Sequence, residues 1–144
     1  MTALGAKPET QFVKGVHSHL PPPSKLYREK MNNPYRGGTA DQWYSAKKDL
    51  WVEYKFLPTV PQRGVVHLCK IDVKSPDLSV LQQRWLRGRY EEGRNVAVIV
   101  GCPSGGVILQ DLEWEKAMSA AEFRGRIMSR QDLAHWIMHQ VSST

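Results

Sequence analysis

The sequence predicts an α/β fold, a small sandwich built around a central mixed β-sheet flanked by helices. Three observations carry that reading. The run Asn95 to Val100 is apolar almost throughout and has the length of a strand, as a strand buried on both faces requires. Amphipathic helical stripes lie before and after it. The order helix, strands, helix, strand, strand, helices is the order in which helices come to cover a sheet. A chain of 144 residues suits one domain, residues 1–144, with a core over about 8–110 and a C-terminal helical extension over 111–144.

The first helix should start near Pro8, because proline suits the first helical turn. Phe12, Val13, Val16 and Leu20 keep a 3.6-residue period and form its buried stripe, and Pro21, Pro22 and Pro23 end it. Lys25 to Met31 reads as a first strand. Asn32-Asn33-Pro34 and Gly37-Gly38 are turn chemistry. Asp41 to Phe56 follows, with strand character from Trp43, Trp51, Val52, Tyr54 and Phe56 and a turn at Ala46, Lys47 and Lys48. That turn pairs Ser45 with Asp49, Trp43 with Trp51, and Asp41 with Glu53. Since residues two apart share a face of a strand, Lys55 lies on the face of Glu53.

Residues 57–77 are rich in Pro, Gly and polar groups, with a short strand at Val65 to Ile71. A second helix is predicted from about Asp77 to Glu92, with Leu78, Leu81, Trp85 and Leu86 facing inward and Gly93 as its stop. Gly105 to Leu109 adds a strand after the apolar run. Capping boxes at Ser119/Glu122 and Ser129/Asp132 open two short helices, the last with Leu133, Trp136 and Ile137 on one face. There is no internal repeat.

Charge narrows the partners. The net charge is +6. Residues 1–94 hold 16 basic and 9 acidic side chains, whereas residues 95–144 hold 4 and 5. A positive field on one part of a small protein favours polyanions, nucleic acid above all. No apolar run approaches the roughly 20 residues of a membrane span. Met1 to Lys14 is polar and unlike a secretion signal. Cys69 and Cys102 are too few for a disulfide framework, and no Cys/His group has zinc spacing. A reducing cytoplasm is the expected compartment.

Against that background, four residues suggest chemistry. Glu9 falls in the middle of the first helix's apolar stripe, where a carboxylate is costly unless it is paired or binds a metal. An alternative is a glutamate serving the helix dipole from the rim of the core. Asp41 and Glu53 side by side across a ladder destabilise it unless a cation sits between them. With the main-chain carbonyl of Tyr54 they offer hard oxygen donors suited to Mg²⁺ or Mn²⁺. Lys55 on the same face can hold a water or steady charge on a phosphate. Asp49 is a rival for the aspartate, and a solvent-facing strand with ordinary charges remains the plainer alternative.

The combination is more specific than its members. Glu9 on a helix, Gly38-Thr39-Ala40-Asp41, Trp51-Val52-Glu53-Tyr54-Lys55, and Leu78-Ser79-Val80-Leu81-Gln82-Gln83-Arg84-Trp85-Leu86 together resemble the PD-(D/E)XK nuclease superfamily. The resemblance is closest to the VRR-Nuc branch and the phage Holliday-junction resolvase-like nucleases, and spans roughly residues 8–101. In one place the sequence departs from the family pattern: Ala40 stands where a proline usually precedes the aspartate.

The resemblance implies a restriction-endonuclease-like sandwich and a Mg²⁺- or Mn²⁺-dependent endonuclease that hydrolyses DNA phosphodiester bonds. Asp41 and Glu53 would bind the metal, Glu9 would complete the acidic cluster directly or through water, Lys55 would position or activate the water, and Gln82 would orient Lys55 or the water. Arg28, Lys30, Arg36, Lys47, Lys48, Arg84 and Arg87 would contact the DNA backbone. Arg89 and Arg94 are equally well read as parts of a solvated helix face. Trp43, Tyr35 and Tyr44 could stack on bases. Branched DNA and a homodimer are the expected substrate and assembly, in a bacterial or phage-infected cell. A nicking or restriction-like nuclease, or a non-catalytic nucleic-acid-binding module on the same fold, remain open alternatives.

Overall fold

The apolar run becomes a strand with every residue buried, Val96–Cys102, inside a five-stranded sheet. The computed structural model describes residues 7–31, 37–71 and 76–143. The sheet order is β1 (Tyr27–Lys30), β2 (Gln42–Ser45), β3 (Asp49–Phe56), β5 (Val96–Cys102) and β6 (Gly105–Leu109). Strands β3 and β5 run parallel and every other neighbouring pair is antiparallel, so the sheet is mixed as predicted. A parallel neighbour needs a crossover, which contains α2 (Val80–Glu91). Two further short strands, β4 (Val65–Val66) and β7 (Met118–Ser119), pair as a small second sheet.

The hairpin register is the one the turn chemistry predicts. Ser45 faces Asp49 and Trp43 faces Trp51, but the ladder ends at Gln42 opposite Val52, so the expected Asp41–Glu53 pair is not part of it. Strand alternation then gives the sheet two unlike faces. On one face Tyr44, Leu50, Val52, Tyr54, Ala97 and Ile99 join Phe12 and Val16 of α1 (Pro8–His17) and Leu133, Ala134, Ile137 and Val141 of α4 (Arg130–Ser142) in one buried cluster. On the other, Val96, Val98, Val100, Val107 and Leu109 pack with Leu86 of α2, Trp114 and Phe123 of α3 (Ala120–Gly125). Trp51, Glu53 and Lys55 belong to this second face, where they extend beyond the apolar cluster.

Helix α4, within the segment 111–144, covers the sheet alongside α1. Several expectations are corrected. Helix α1 stops at His17, and Leu20 is buried beyond its end. The strand expected over Val65 to Ile71 is only Val65–Val66, whose partner lies more than 50 residues on in the chain, and Ile71 is 98% exposed. Helix α2 starts at Val80, not Asp77, and Leu81 points outward, 55% exposed, while Leu78 is buried just ahead of the helix. Tyr44 is fully buried and closed to any base. Arg36, Tyr35 and the turn residues Asn32-Asn33-Pro34 lie outside the described residues. Among the described residues no helix is long and apolar enough to cross a membrane.

Candidate active site

Asp41 reaches its place because the β2–β3 ladder stops. Even-numbered residues of β3 direct their main-chain groups toward β2, whose last partner is Gln42 opposite Val52. The next such N–H, that of Tyr54, donates to Asp41 Oδ2 at 3.1 Å. The Tyr54 carbonyl points to the same side as its N–H. The Asp41 main chain is tied in turn by the Met31 N–H, which donates to its carbonyl at 2.7 Å. Ala40, immediately before, is fully buried.

Glu53 is the unusual residue of the chain. Its side chain is 2% exposed, yet it sits beside Asp41. Gln82 Nε2 donates to Glu53 Oε2 at 3.1 Å, and Lys55 Nζ lies 3.4 Å from the same oxygen. The other oxygen, Oε1, is buried with no hydrogen-bond partner. Burial, and then the Asp41 charge, push the Glu53 carboxyl up to about 8, against which Lys55 pulls only partly. Glu9, half-buried on the first turn of α1, is raised by burial and by Asp41, offset by Lys55, Lys30 and Lys7. Asp49 accepts from the Ser45 hydroxyl at 2.6 Å, four residues from Glu53 at the hairpin's closed end, and the aspartate whose charge acts on Glu53 is Asp41.

Gln82 holds its place through a capping box that is readable in the spacing Ser79-x-x-Gln82. The Ser79 hydroxyl accepts from the Gln82 N–H at 3.1 Å, and Gln82 Oε1 accepts from the Ser79 N–H at 2.9 Å. One amide side chain therefore caps α2 and grips Glu53. Its side-chain partner across the site is Glu53, the neighbour of Lys55. Gly38 also serves the site, in a role its turn chemistry alone does not announce. Its φ is +94°, and a Cβ there would lie 2.4 Å from the Leu81 carbonyl oxygen. Only glycine lets the loop that leads to Asp41 press against the helix that carries Gln82.

The structure thus gathers Glu9, Asp41, Glu53, Lys55 and Gln82 from two helices, a loop and one strand. A cleft of about 370 Å³ opens between Glu9 and Lys55, lined also by Lys7 and Asp77, and one of about 290 Å³ joins Glu9, Lys30 and Asp41. Among the described residues no three His, Cys, Asp or Glu side chains form a cluster able to hold a metal ion. Two carboxylates, one of them buried with an orphaned oxygen, nevertheless fit a divalent cation, since positive charge between them would let both ionise at neutral pH.

The predicted backbone contacts divide. Arg28 Nη1 donates to the Pro21 carbonyl at 2.8 Å. Arg87 is held by Glu115, with Nε to Oε2 at 2.9 Å, and by Glu91 at 3.1 Å. Lys47, Lys48 and Arg84 are exposed. His17, which forms no pattern in the sequence, bonds the Tyr44 hydroxyl at 2.8 Å, which meets Tyr54 Oη at 2.7 Å.

No family model matches the sequence, and no curated protein matches it. Among solved structures, the chain is similar to the 1.6 Å structure of Hjc, a Holliday junction resolvase from the archaeal hyperthermophile Archaeoglobus fulgidus. The TM-score is 0.52 at 11% identity, over 90% of this chain and 97% of that one. That likeness is one of fold: a five-stranded mixed sheet flanked by helices, as in the restriction-endonuclease-like sandwich.

Proposed function

We propose that the chain is a metal-dependent endonuclease that hydrolyses DNA phosphodiester bonds. The observation that carries this reading is the buried Glu53 carboxylate, set against Asp41 and gripped by Gln82 and Lys55. Burying such a group costs stability unless function repays it.

Asp41, Glu53 and the Tyr54 carbonyl would hold Mg²⁺ or Mn²⁺, and Glu9 would reach it through water. A cation bound there would polarise the phosphodiester and lower the pKa of a water. Lys55 stands 3.4 Å from Glu53 Oε2 and 21% exposed, close enough to turn its ammonium to an incoming phosphate oxygen or a water. Gln82 keeps Glu53 in one rotamer by bonding it from a capped helix end. Glu9, with its raised pKa, can accept or return a proton at the cleft wall.

The fold neighbour is a Holliday junction resolvase, which supports branched DNA as the substrate. A junction is cut on two strands, so a homodimer follows from that substrate. The test is cleavage of a four-way junction, a linear duplex and single strands, in Mg²⁺ and in chelator. Junction cleavage that needs Mg²⁺ and disappears in Glu53→Ala and Lys55→Ala is expected. Cleavage that persists in chelator or in Glu53→Ala would contradict the mechanism, and preference for linear duplex would replace branched DNA with a restriction-like substrate.

A further inference from the structure

At the far end of β3 from Glu53, a cleft of about 490 Å³ lies between the β2–β3 turn and the loop joining α2 to β5. Lys47, Lys48, Arg89 and Arg94 line it, together with Asn95 and Trp51. Among the described residues, Lys47, Lys48 and Arg94 make no ion pair, whereas Arg89 is paired with Glu92. Asp49 is the acidic group in the cleft, and its Oδ1 accepts from Ser45.

The cations are set on anchored backbone. The Lys48 N–H donates to the Val141 carbonyl at 3.0 Å, pinning the turn to the end of α4, and the Ala46 N–H donates to the Lys48 carbonyl at 3.0 Å. On the other wall, the Arg94 N–H bonds the Arg89 carbonyl at 3.0 Å, and the Asn95 carbonyl accepts from the Trp51 N–H at 3.0 Å. Trp51 is half-buried and belongs to the same side of β3 as Glu53 and Lys55, so one strand carries both the cleft wall and the acidic site. Four strand residues separate Asp49 from Glu53, about 13 Å at ~3.3 Å per residue.

We propose that this cleft is a second nucleic-acid contact, which binds the phosphate backbone of the DNA flanking the bond that reacts. Three unpaired cations around a polar hollow suit consecutive phosphates, and Asn95 adds a neutral hydrogen-bonding group. Arg89 and Arg94 then belong to the binding surface and not to a merely solvated helix end. The cleft also explains why the basic surplus lies in the same stretch of chain as the acidic site.

This inference rests on the nuclease reading for its choice of DNA, and a binding experiment in chelator separates the two. Affinity for a fluorescent four-way junction and a duplex would be measured by anisotropy across a salt series. The wild type would be compared with Lys47→Glu/Arg94→Glu and with Arg63→Glu/Lys116→Glu, which makes the same charge change beside the small second sheet. The first double variant should lose about tenfold or more in affinity and lower the salt slope by roughly two, one per lost phosphate contact. The control should keep wild-type binding, and thermal melting would check that all three are folded. Equal weakening by both doubles, unchanged binding by the first, or no DNA binding by the wild type would overturn the second contact. Binding that depends on Lys47 and Arg94 without any cleavage in Mg²⁺ would leave the contact standing and reject the nuclease reading alone.

Discussion

The two faces of the central sheet are both buried, but they are buried differently. Beneath α1 and α4, strand β3 presents Leu50, Val52 and Tyr54 to an apolar cluster whose polar atoms are joined in the chain His17–Tyr44–Tyr54. On the opposite face the same strand presents Trp51, Glu53 and Lys55, and Glu53 keeps a buried oxygen without a partner. The first face satisfies what it buries. The second leaves a carboxylate unsatisfied, as a site that awaits a ligand would. Burial by itself does not separate scaffold from site; Glu53 is marked because its orphaned buried atom is an ionisable oxygen, whereas the others among the described residues, Trp43 Nε1 and Trp114 Nε1, are indole N–H groups.

Mutating one residue on each face should split stability from activity most widely. Glu53→Ala is expected to cut Mg²⁺-dependent cleavage by about a thousandfold or more while changing the melting temperature little, since the cost of burying the carboxyl is lost together with its bonds to Gln82 and Lys55. Leu50→Ala should do the reverse, costing about 2–5 kcal/mol in denaturant unfolding with the remaining folded protein active. If Glu53→Ala unfolds the chain instead, the contrast between the faces is broken.

The faces should also answer pH with opposite signs. Glu53 is raised from 4.5 to about 8, so the folded state binds the extra proton between those values. In chelator its contribution to stability is therefore present below pH 4.5 and is lost as pH rises through 8. His17 is lowered from 6.5 to about 4 by burial and by Arg28, so here the unfolded state binds the extra proton. Its contribution is full above pH 6.5 and is lost as pH falls toward 4. Thermal melting against pH in chelator should show the alkaline loss reduced in Glu53→Gln and the acid loss reduced in His17→Gln. Mg²⁺ should flatten only the alkaline side.

Smaller effects test the supports of the site. Gly38→Ala must place a Cβ against the Leu81 carbonyl at a left-handed φ, and should cost about 1–3 kcal/mol together with much of the activity. Ser79→Ala removes one half of the α2 cap and should cost about 1 kcal/mol. Gln82→Ala should add a loss of about tenfold in kcat that Ser79→Ala does not share, because it also frees Glu53. On the other face, Tyr44→Phe should cost about 1 kcal/mol and leave cleavage unchanged. Equal kcat losses in Ser79→Ala and Gln82→Ala would reduce Gln82 to a helix cap.

Where the sequence is legible, the information is local. The turn at Ala46-Lys47-Lys48 and the alternation around Trp43 and Trp51 fix the register, and the bond from the Tyr54 N–H to Asp41 beyond the ladder's end sets Asp41 beside Glu53. Where it is not, the determinants are distant. Val65 finds its partner at Ser119, and nothing in residues 57–77 announces that pairing. Helix α4 completes the core against α1 more than 100 residues earlier, so its apolar face alone does not say what it covers. The hydroxyl chain from His17 to Tyr44 and Tyr54 likewise joins three segments that carry no shared motif. Gln82 stands out by its family position, while the bond it makes, to Glu53, depends on how the crossover helix settles on the sheet.

The central claim is that Asp41 and Glu53 form a cation site around a carboxyl held protonated until the ion arrives. Calorimetric titration of Mn²⁺ at pH 7, repeated in buffers of different ionisation enthalpy, measures both the binding and the protons it releases. The account predicts binding by the wild type with release of about one proton, and neither event in Glu53→Gln. Undiminished Mn²⁺ binding by Glu53→Gln, or no binding by the folded wild type, would contradict it.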